Sequence, residues 1–284
     1  MRIAVLSGKG GTGKTFLAVN LALVAEEAVY ADCDVEEPNG WVFLQPEITA
    51  KEQVTVKIPA VDHAKCSGCR KCVEFCRFNA LAYAGKVLVF PGICHSCGGC
   101  VLLCPQQALA ELDRPVGIIQ HGRAGHVQVR TGYLNLGEES GVPIIAQLLA
   151  GLPAAATVII DCPPGSSCTV LESIKDCDYC LLVAEPTRYG LDNLQMVREL
   201  VTVLKKPFGV VLNKAVPGEK LVEDYCRREQ LPLLAVIPYT TELAHSIAGG
   251  EPAVKISKEY YDLFAGLLQQ MGVKAREAAC HPQR

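Results

Sequence analysis

Ile3-Ala4-Val5-Leu6-Ser7-Gly8-Lys9-Gly10-Gly11-Thr12-Gly13-Lys14-Thr15 decides the fold. Four apolar residues read as a buried strand, and the stretch from Thr15 to Glu27 has the periodicity of an amphipathic helix. Between them Gly8–Thr15 satisfies G-x-x-x-x-G-K-[ST]. Gly8, Gly10, Gly11, Thr12 and Gly13 let backbone N–H groups turn inward around phosphate oxygens, and the helix start adds favourable partial charge. Lys14 would reach the outer phosphates and the Thr15 hydroxyl would ligate Mg²⁺. The bland alternative is a glycine-rich turn with no ligand.

Outward from this loop, strands and helices alternate. Strand-like runs fall at Ala28–Ala31, Val158–Ile160, Tyr179–Val183, Gly209–Leu212 and Leu234–Ile237, with two more near Val116–Gln120 and His126–Arg130. Helical patterns cover Cys168–Asp176, Leu191–Leu204, Lys220–Glu229, Thr240–Ala248 and Glu259–Met271. Short strands separated by longer helices predict an α/β fold with a mostly parallel sheet covered on both faces.

The alternation breaks between about Asp62 and Asp113. Cys66-Ser-Gly-Cys69-Arg-Lys-Cys72-Val-Glu-Phe-Cys76 recurs as Cys94-His-Ser-Cys97-Gly-Gly-Cys100-Val-Leu-Leu-Cys104, and each copy runs on to Ala-Leu, at Ala80-Leu81 and Ala108-Leu109. This is C-x₂-C-x₂-C-x₃-C twice, the ligand spacing of two-cluster bacterial ferredoxins, in which the fourth cysteine of each run serves the other cluster. Cys66, Cys69, Cys72 and Cys104 would hold one [4Fe–4S] cluster, and Cys94, Cys97, Cys100 and Cys76 the second. Zinc is the competing metal, although its ligand pairs are usually separated by longer loops. The expected organisation is a discontinuous P-loop domain, residues 1–61 and 114–284, with a ferredoxin-like insert at 62–113.

Lys9-Gly-Gly-Thr-Gly-Lys-Thr15 resembles the deviant Walker A loop of the MinD/ParA superfamily of P-loop ATPases, which includes the nitrogenase iron protein. The resemblance implies that Lys9 crosses a nucleotide-sandwich dimer to the partner's phosphates, the role of an arginine finger; a solvated loop lysine is the alternative. Asp32-Cys-Asp34-Val-Glu-Glu-Pro-Asn39 resembles the family's first switch, which implies Asp34 at the attacking water and Asp32 near Mg²⁺. Asp161-Cys-Pro-Pro-Gly165 resembles the Walker B and second-switch segment, which implies Asp161 on Mg²⁺ through water and the Gly165 N–H on the γ-phosphate. Asn213 matches a residue that reads the adenine edge, and Pro238, with Tyr239, a strand end packed on the adenine face. With Val216 in place of the aspartate of N-K-x-D, ATP is favoured over GTP. Cys168 lies at the offset from Asp161 where the nitrogenase iron protein carries one cysteine of a dimer-bridging cluster. The second such cysteine has no counterpart, since that position falls near Tyr133.

The composition is that of a globular protein: half the residues are hydrophobic, with 27 Lys and Arg against 30 Asp and Glu, net charge −3. Neither this balance nor any charged block points to nucleic acid. The absence of a leader-like or spanning apolar run predicts a cytoplasmic address. A reducing compartment makes disulfides among the 15 cysteines unexpected. Cys33, Cys162, Cys177, Cys180, Cys226 and Cys280 are read as packed small hydrophobes, although Cys177-Asp-Tyr-Cys180 is formally C-x-x-C. The tail from Met271 is mostly Ala among its apolar residues, which does not support membrane insertion, and Cys280 is its only cysteine. His63, His95, His121, His126, His245 and His281 are read as structural or surface residues.

The expected function is an ATP-binding and ATP-hydrolysing iron–sulfur protein with Mg²⁺ and two [4Fe–4S] clusters. Lys9, Lys14 and Asp34 would serve hydrolysis that is slow and partner-stimulated. The nucleotide state of a homodimer, or of a heterodimer with a paralogous ATPase, would gate electron transfer to a redox partner. The alternative is an ATP-dependent factor that assembles or inserts a metallocluster into a client. A third reading, a spatial-positioning switch, gives the cysteine runs no role.

Overall fold

A computed structural model describes residues 1–153 and 156–280. The strands are β1 (Arg2–Leu6), β2 (Ala28–Asp32), β3 (Glu47–Val61), β4 (Leu81–Tyr83), β5 (Val87–Val89), β6 (Leu109–Ala124), β7 (Val127–Leu134), β8 (Thr157–Asp161), β9 (Tyr179–Ala184), β10 (Phe208–Ala215) and β11 (Leu233–Pro238). The helices are α1 (Lys14–Val24), α2 (Gly40–Leu44), α3 (Lys71–Phe75), α4 (Gly99–Leu102), α5 (Val142–Leu149), α6 (Cys168–Ile174), α7 (Arg188–Val203), α8 (Leu221–Arg228), α9 (Thr241–Ala248), α10 (Ala253–Ile256) and α11 (Lys258–Cys280). His281 lies outside the described residues, as does the side chain of Cys280.

Nine strands form one sheet in the order β11-β10-β9-β1-β8-β2-β7-β6-β3. The pairs from β11 to β7 are all parallel, whereas β6 runs antiparallel to both β7 and β3. Strands β2 and β9 are buried along their whole length and β1 is buried from Ile3 onward, as parallel strands covered on both faces should be. On one face Ile144, Ile145 and Leu148 of α5, Val170 of α6, Leu194, Val197 and Val201 of α7 and Val222 of α8 close the core. On the other, α1 packs with Leu243, Phe264, Leu267 and Met271. Strands β1, β2, β8, β9, β10 and β11 lie where their apolar runs predict, and α2, α3, α4, α5, α10, β3, β4 and β5 are additional elements.

The β3–β6 pair does more than edge the sheet. β7 pairs with β6 only from Gly117 to Ala124, so Thr55–Val61 and Leu109–Pro115 continue past it as a two-stranded ribbon. At about 3.4 Å per residue this projects roughly 20 Å beyond the sheet. Pro115 sits opposite Thr55 beside a register shift, where a missing N–H costs no regular ladder bond. The domain boundary expected at 113/114 falls inside β6, which runs through it unbroken.

The segment carried by the ribbon repeats every 28 positions in three dimensions as well as in sequence. Val61 pairs with Leu109, and Leu81 with Val89, so each strand pair maps onto the other under that shift. Left-handed backbone occurs at Gly68 and Ser96, Arg70 and Gly98, Asn79 and Gln107. α3 and α4 begin at equivalent positions, and Cys72 and Cys100 are the buried cysteines of each copy. The core of this segment is small: Cys72, Leu81, Val87, Cys100 and Leu109.

Candidate functional site

The loop after β1 folds on its own backbone. Ser7 Oγ donates to the Lys9 carbonyl at 2.7 Å, and Thr12 Oγ1 donates to Ser7 Oγ at 2.7 Å. Gly11 and Gly13 take φ of 76° and 100°, the left-handed region that opens the loop into the first turn of α1. A Cβ on Gly13 would lie 2.2 Å from Asn213 Nδ2, so that glycine is required by contact as well as by φ.

A cleft of about 640 Å³ opens over this loop, large enough for a nucleotide. Gly10, Gly11, Gly13, Lys14, Thr15, Asp34, Asn213 and Pro238 line it, as expected from sequence. Its far end adds Phe43, Tyr239, Leu243 and Ile247, an apolar floor whose members, apart from Tyr239, no local motif announces. Asn213 Nδ2 already donates to the Thr12 carbonyl at 2.8 Å, which leaves its side-chain oxygen and one N–H for a ligand.

Gly8, Lys9, Thr12, Asp32, Asp161 and Gly165 stand outside that lining. Gly8 packs against Asn193, where a Cβ would come within 2.5 Å of the backbone carbonyl oxygen. The Gly165 N–H, expected to face a phosphate, donates to the Ser7 carbonyl at 3.0 Å. Lys9 is not a solvated loop lysine: its Nζ pairs with Glu185 and lies 5.2 Å from the centre of the Tyr189 ring. Thr187 Oγ1 donates to the same Glu185 oxygen at 3.0 Å.

Asp32 and Asp161 are register neighbours on β2 and β8, and both are fully buried. Burial raises both carboxyl pKa values and their mutual repulsion adds to the rise at Asp32, while Thr15 and Lys14 pull Asp161 back down. Tyr30, a residue no motif singles out, donates to Asp161 Oδ2 at 2.8 Å and lies 3.3 Å from Asp32 Oδ2. Among the described residues Asp161 Oδ1 is a buried acceptor with no hydrogen-bond partner. Burial opposes the charge of Asp34, beside the cleft, and pushes its carboxyl up to about 6 against the opposing pull of the Lys14 ammonium.

Two cavities lie in the repeated segment. Cys76, Cys94, Cys97 and Cys100 line one of about 140 Å³. Cys66, Cys69, Cys72 and Cys104 line a tighter one of about 20 Å³. The fourth cysteine of each run therefore stands with the first three of the other. Each ring has one exposed member (Cys97, Cys69), one buried member (Cys100, Cys72) and two of intermediate exposure. Among the described residues no three His, Cys, Asp or Glu groups converge as a single metal ion requires. Thiolates on one zinc ion would stand only about 3.8 Å apart. His95, read from sequence as structural or surface, lines the first ring and stacks on Phe78 with ring centroids 3.7 Å apart. Cys168 is exposed at the first position of α6, and the remaining described cysteines are buried.

Three comparisons bear on this geometry. The chain is 28% identical over 271 residues to an uncharacterized protein, MJ0579, of Methanocaldococcus jannaschii, covering 88% of this chain and 98% of that one. It is 32% identical over 219 residues to MJ0578 of the same organism, also uncharacterized, covering 75% and 78% of the two chains. Its fold is similar to that of the septum site-determining protein MinD of Pyrococcus horikoshii, solved with Mg-ADP, with TM-score 0.59, 18% identity and coverage of 95% and 94%. The cell division ATPase MinD of Pyrococcus furiosus gives TM-score 0.57 at 19% identity, with coverage of 95% and 98%. The family model described as the CobQ/CobB/MinD/ParA nucleotide binding domain matches residues 3–253, from β1 through α10 and across the repeated segment, and the chain belongs to that family.

Proposed function

We propose that this protein is an ATP-hydrolysing iron–sulfur protein in which the nucleotide state of a dimer gates electron transfer through two [4Fe–4S] clusters to a redox partner. The crossed arrangement of the two cysteine rings, mounted on a ribbon of the nucleotide-binding sheet, carries the reading. The donor set suits iron–sulfur clusters: eight thiols in two interleaved sets of four, around a segment whose core cluster joins five buried residues, two of them cysteines of the rings. A core of that size does not hold a unit together without covalent or metal staples. Bound in these rings, the clusters would supply one-electron exchange.

At the nucleotide end, the backbone N–H groups of Gly10–Gly13 and the Lys14 ammonium would hold the phosphates. Thr15 and the unpaired oxygen of Asp161 fit Mg²⁺, with Asp32 close behind. Asp34 would orient the attacking water from the cleft wall. Lys9 would leave Glu185 to meet the partner's phosphates, and Gly165 would exchange the Ser7 carbonyl for the γ-phosphate. Insert and ATPase domain thus correspond to residues 62–113 and to the rest of the chain.

The test is an anaerobic redox titration followed by EPR, without nucleotide and with MgATP or a non-hydrolysable analogue. A nucleotide-dependent change of several tens of millivolts is the expected result. Unchanged potentials with both clusters retained would leave nucleotide controlling docking or cargo release, and the assembly-factor reading would replace this one.

A further inference from the structure

Cys177 and Cys180 have a geometry that packing as small hydrophobes does not require. Cys177 Sγ and Cys180 Sγ are 3.4 Å apart, within reach of a thiol–thiol hydrogen bond. A disulfide has its sulfurs about 2.05 Å apart, so closure needs about 1.4 Å of approach. Cys177 sits in the short connection between α6 and β9, flanked by the exposed Asp176 and Asp178 and itself 5% exposed. Cys180 is the second residue of β9 and fully buried. Lys206 Nζ donates to the Cys177 carbonyl at 3.0 Å, which fixes a positive charge beside the outer thiol.

We propose that Cys177 and Cys180 are a redox-active dithiol that exchanges with low-molecular-weight disulfides, placed at the far end of the helix whose start lines the nucleotide cleft. The outer thiol is the attacking group. The hydrogen bond with Cys180 and the Lys206 charge hold Cys177 below its usual pKa, whereas the same hydrogen bond and burial push Cys180 well above its own. The Cys177 thiolate attacks one sulfur of R–S–S–R and expels RS⁻, forming a mixed disulfide. Cys180, losing its proton to solvent or to that thiolate, attacks Cys177 Sγ and expels the second RS⁻. The sum converts two cysteine thiols and R–S–S–R into the Cys177–Cys180 disulfide and two RSH. Ser167 and Thr169, at the start of α6, line the nucleotide cleft. The turn tightened by the disulfide therefore follows directly on an element of that cleft. The inference is independent of the cluster and hydrolysis readings.

Trypsin isolates residues 176–188 as one peptide, cut after Lys175 and Arg188, with Cys177 and Cys180 as its only cysteines. The anaerobic holoprotein is equilibrated with glutathione at graded oxidised-to-reduced ratios, quenched in acid, alkylated without reductant, digested and weighed. The expected peptide is two hydrogens lighter and unalkylated at oxidising ratios, and doubly alkylated at reducing ones. Cys180→Ser should accumulate glutathione at position 177, and Cys177→Ser should take up none at position 180. The proposal is overturned if both thiols stay alkylatable at ratios that fully oxidise thioredoxin in the same tube. It is equally overturned if oxidation appears only after the fold is opened in urea.

Discussion

Tyr30 places one hydroxyl between two buried aspartates, Asp32 and Asp161, that repel each other. Among the described residues, that proton is the one donor both carboxylates share. Tyr30→Phe should therefore destabilise the metal-free protein by about 1–3 kcal/mol, the usual cost of stripping a partner from a buried acceptor. Saturating MgADP should shrink the loss, since Mg²⁺ then supplies positive charge to the same oxygens. Urea unfolding with and without MgADP measures both; an equal loss in the two conditions would mean that Tyr30 serves packing alone. Lys9 makes a second residue-scale case. Its ion pair with Glu185 must break before it can act on a partner, and a partly exposed pair is worth about 1 kcal/mol at most. Glu185→Ala should thus lower the protein concentration at which ATP drives dimerisation by up to about fivefold. Sedimentation reads this directly. Neither Tyr30 nor Glu185 is evident from sequence, because a side chain that meets its partner across a sheet or from a distant loop leaves no local pattern.

At the scale of elements, the ribbon decides whether the cysteine segment is a separable unit. Val61 and Leu109 face each other as an antiparallel pair, and the Asp62 N–H bonds the Ala108 carbonyl at 2.7 Å. A two-residue Asn-Gly turn can join two such strand ends. Replacing residues 62–108 by Asn-Gly should leave a folded protein that binds MgADP with unchanged affinity and carries no iron. Calorimetry and an iron assay test it together, and loss of nucleotide binding would show that the segment supports the sheet. The cysteine repeat itself is fully legible, since eight cysteines at fixed spacing form a local pattern. The long strands that carry it are not. β3 is exposed along most of its length, so only Val54 and Pro59 fall in buried positions and the period-2 signal of a half-buried strand is nearly absent. The central strands lay at the other extreme, buried on both faces and bounded by Gly, Pro and Asp, and their places matched the reading closely.

Across the whole molecule, the question is how a phosphate at the loop after β1 could reach the cysteine rings at the end of the ribbon. The segment Asp32–Asn39, which resembles the family's first switch, touches β7 directly: the Leu134 N–H bonds the Val35 carbonyl at 2.9 Å. The Val35 side chain, 3% exposed, fills the space where a Cβ on Gly132 would come within 2.7 Å of its Cγ1. β7 pairs with β6 from Leu134 to Val127, and β6 continues into the ribbon. Asp32–Asn39, β7, β6 and the ribbon are therefore contiguous: Asp32 joins β7 through the β2–β7 ladder and Val35 through a contact beyond the strand's end. Contiguity alone is not coupling, so the prediction concerns a coupling energy. Val35→Ala should leave MgADP affinity within about twofold while reducing the nucleotide-dependent change in cluster potential by about 40 mV, the equivalent of about 1 kcal/mol for one electron. Potentials measured with and without nucleotide in both proteins give the difference of differences. If the variant retains the full change, the Val35 contact does not carry the signal, which leaves the β2–β7 ladder and the dimer partner as routes from phosphate to ring.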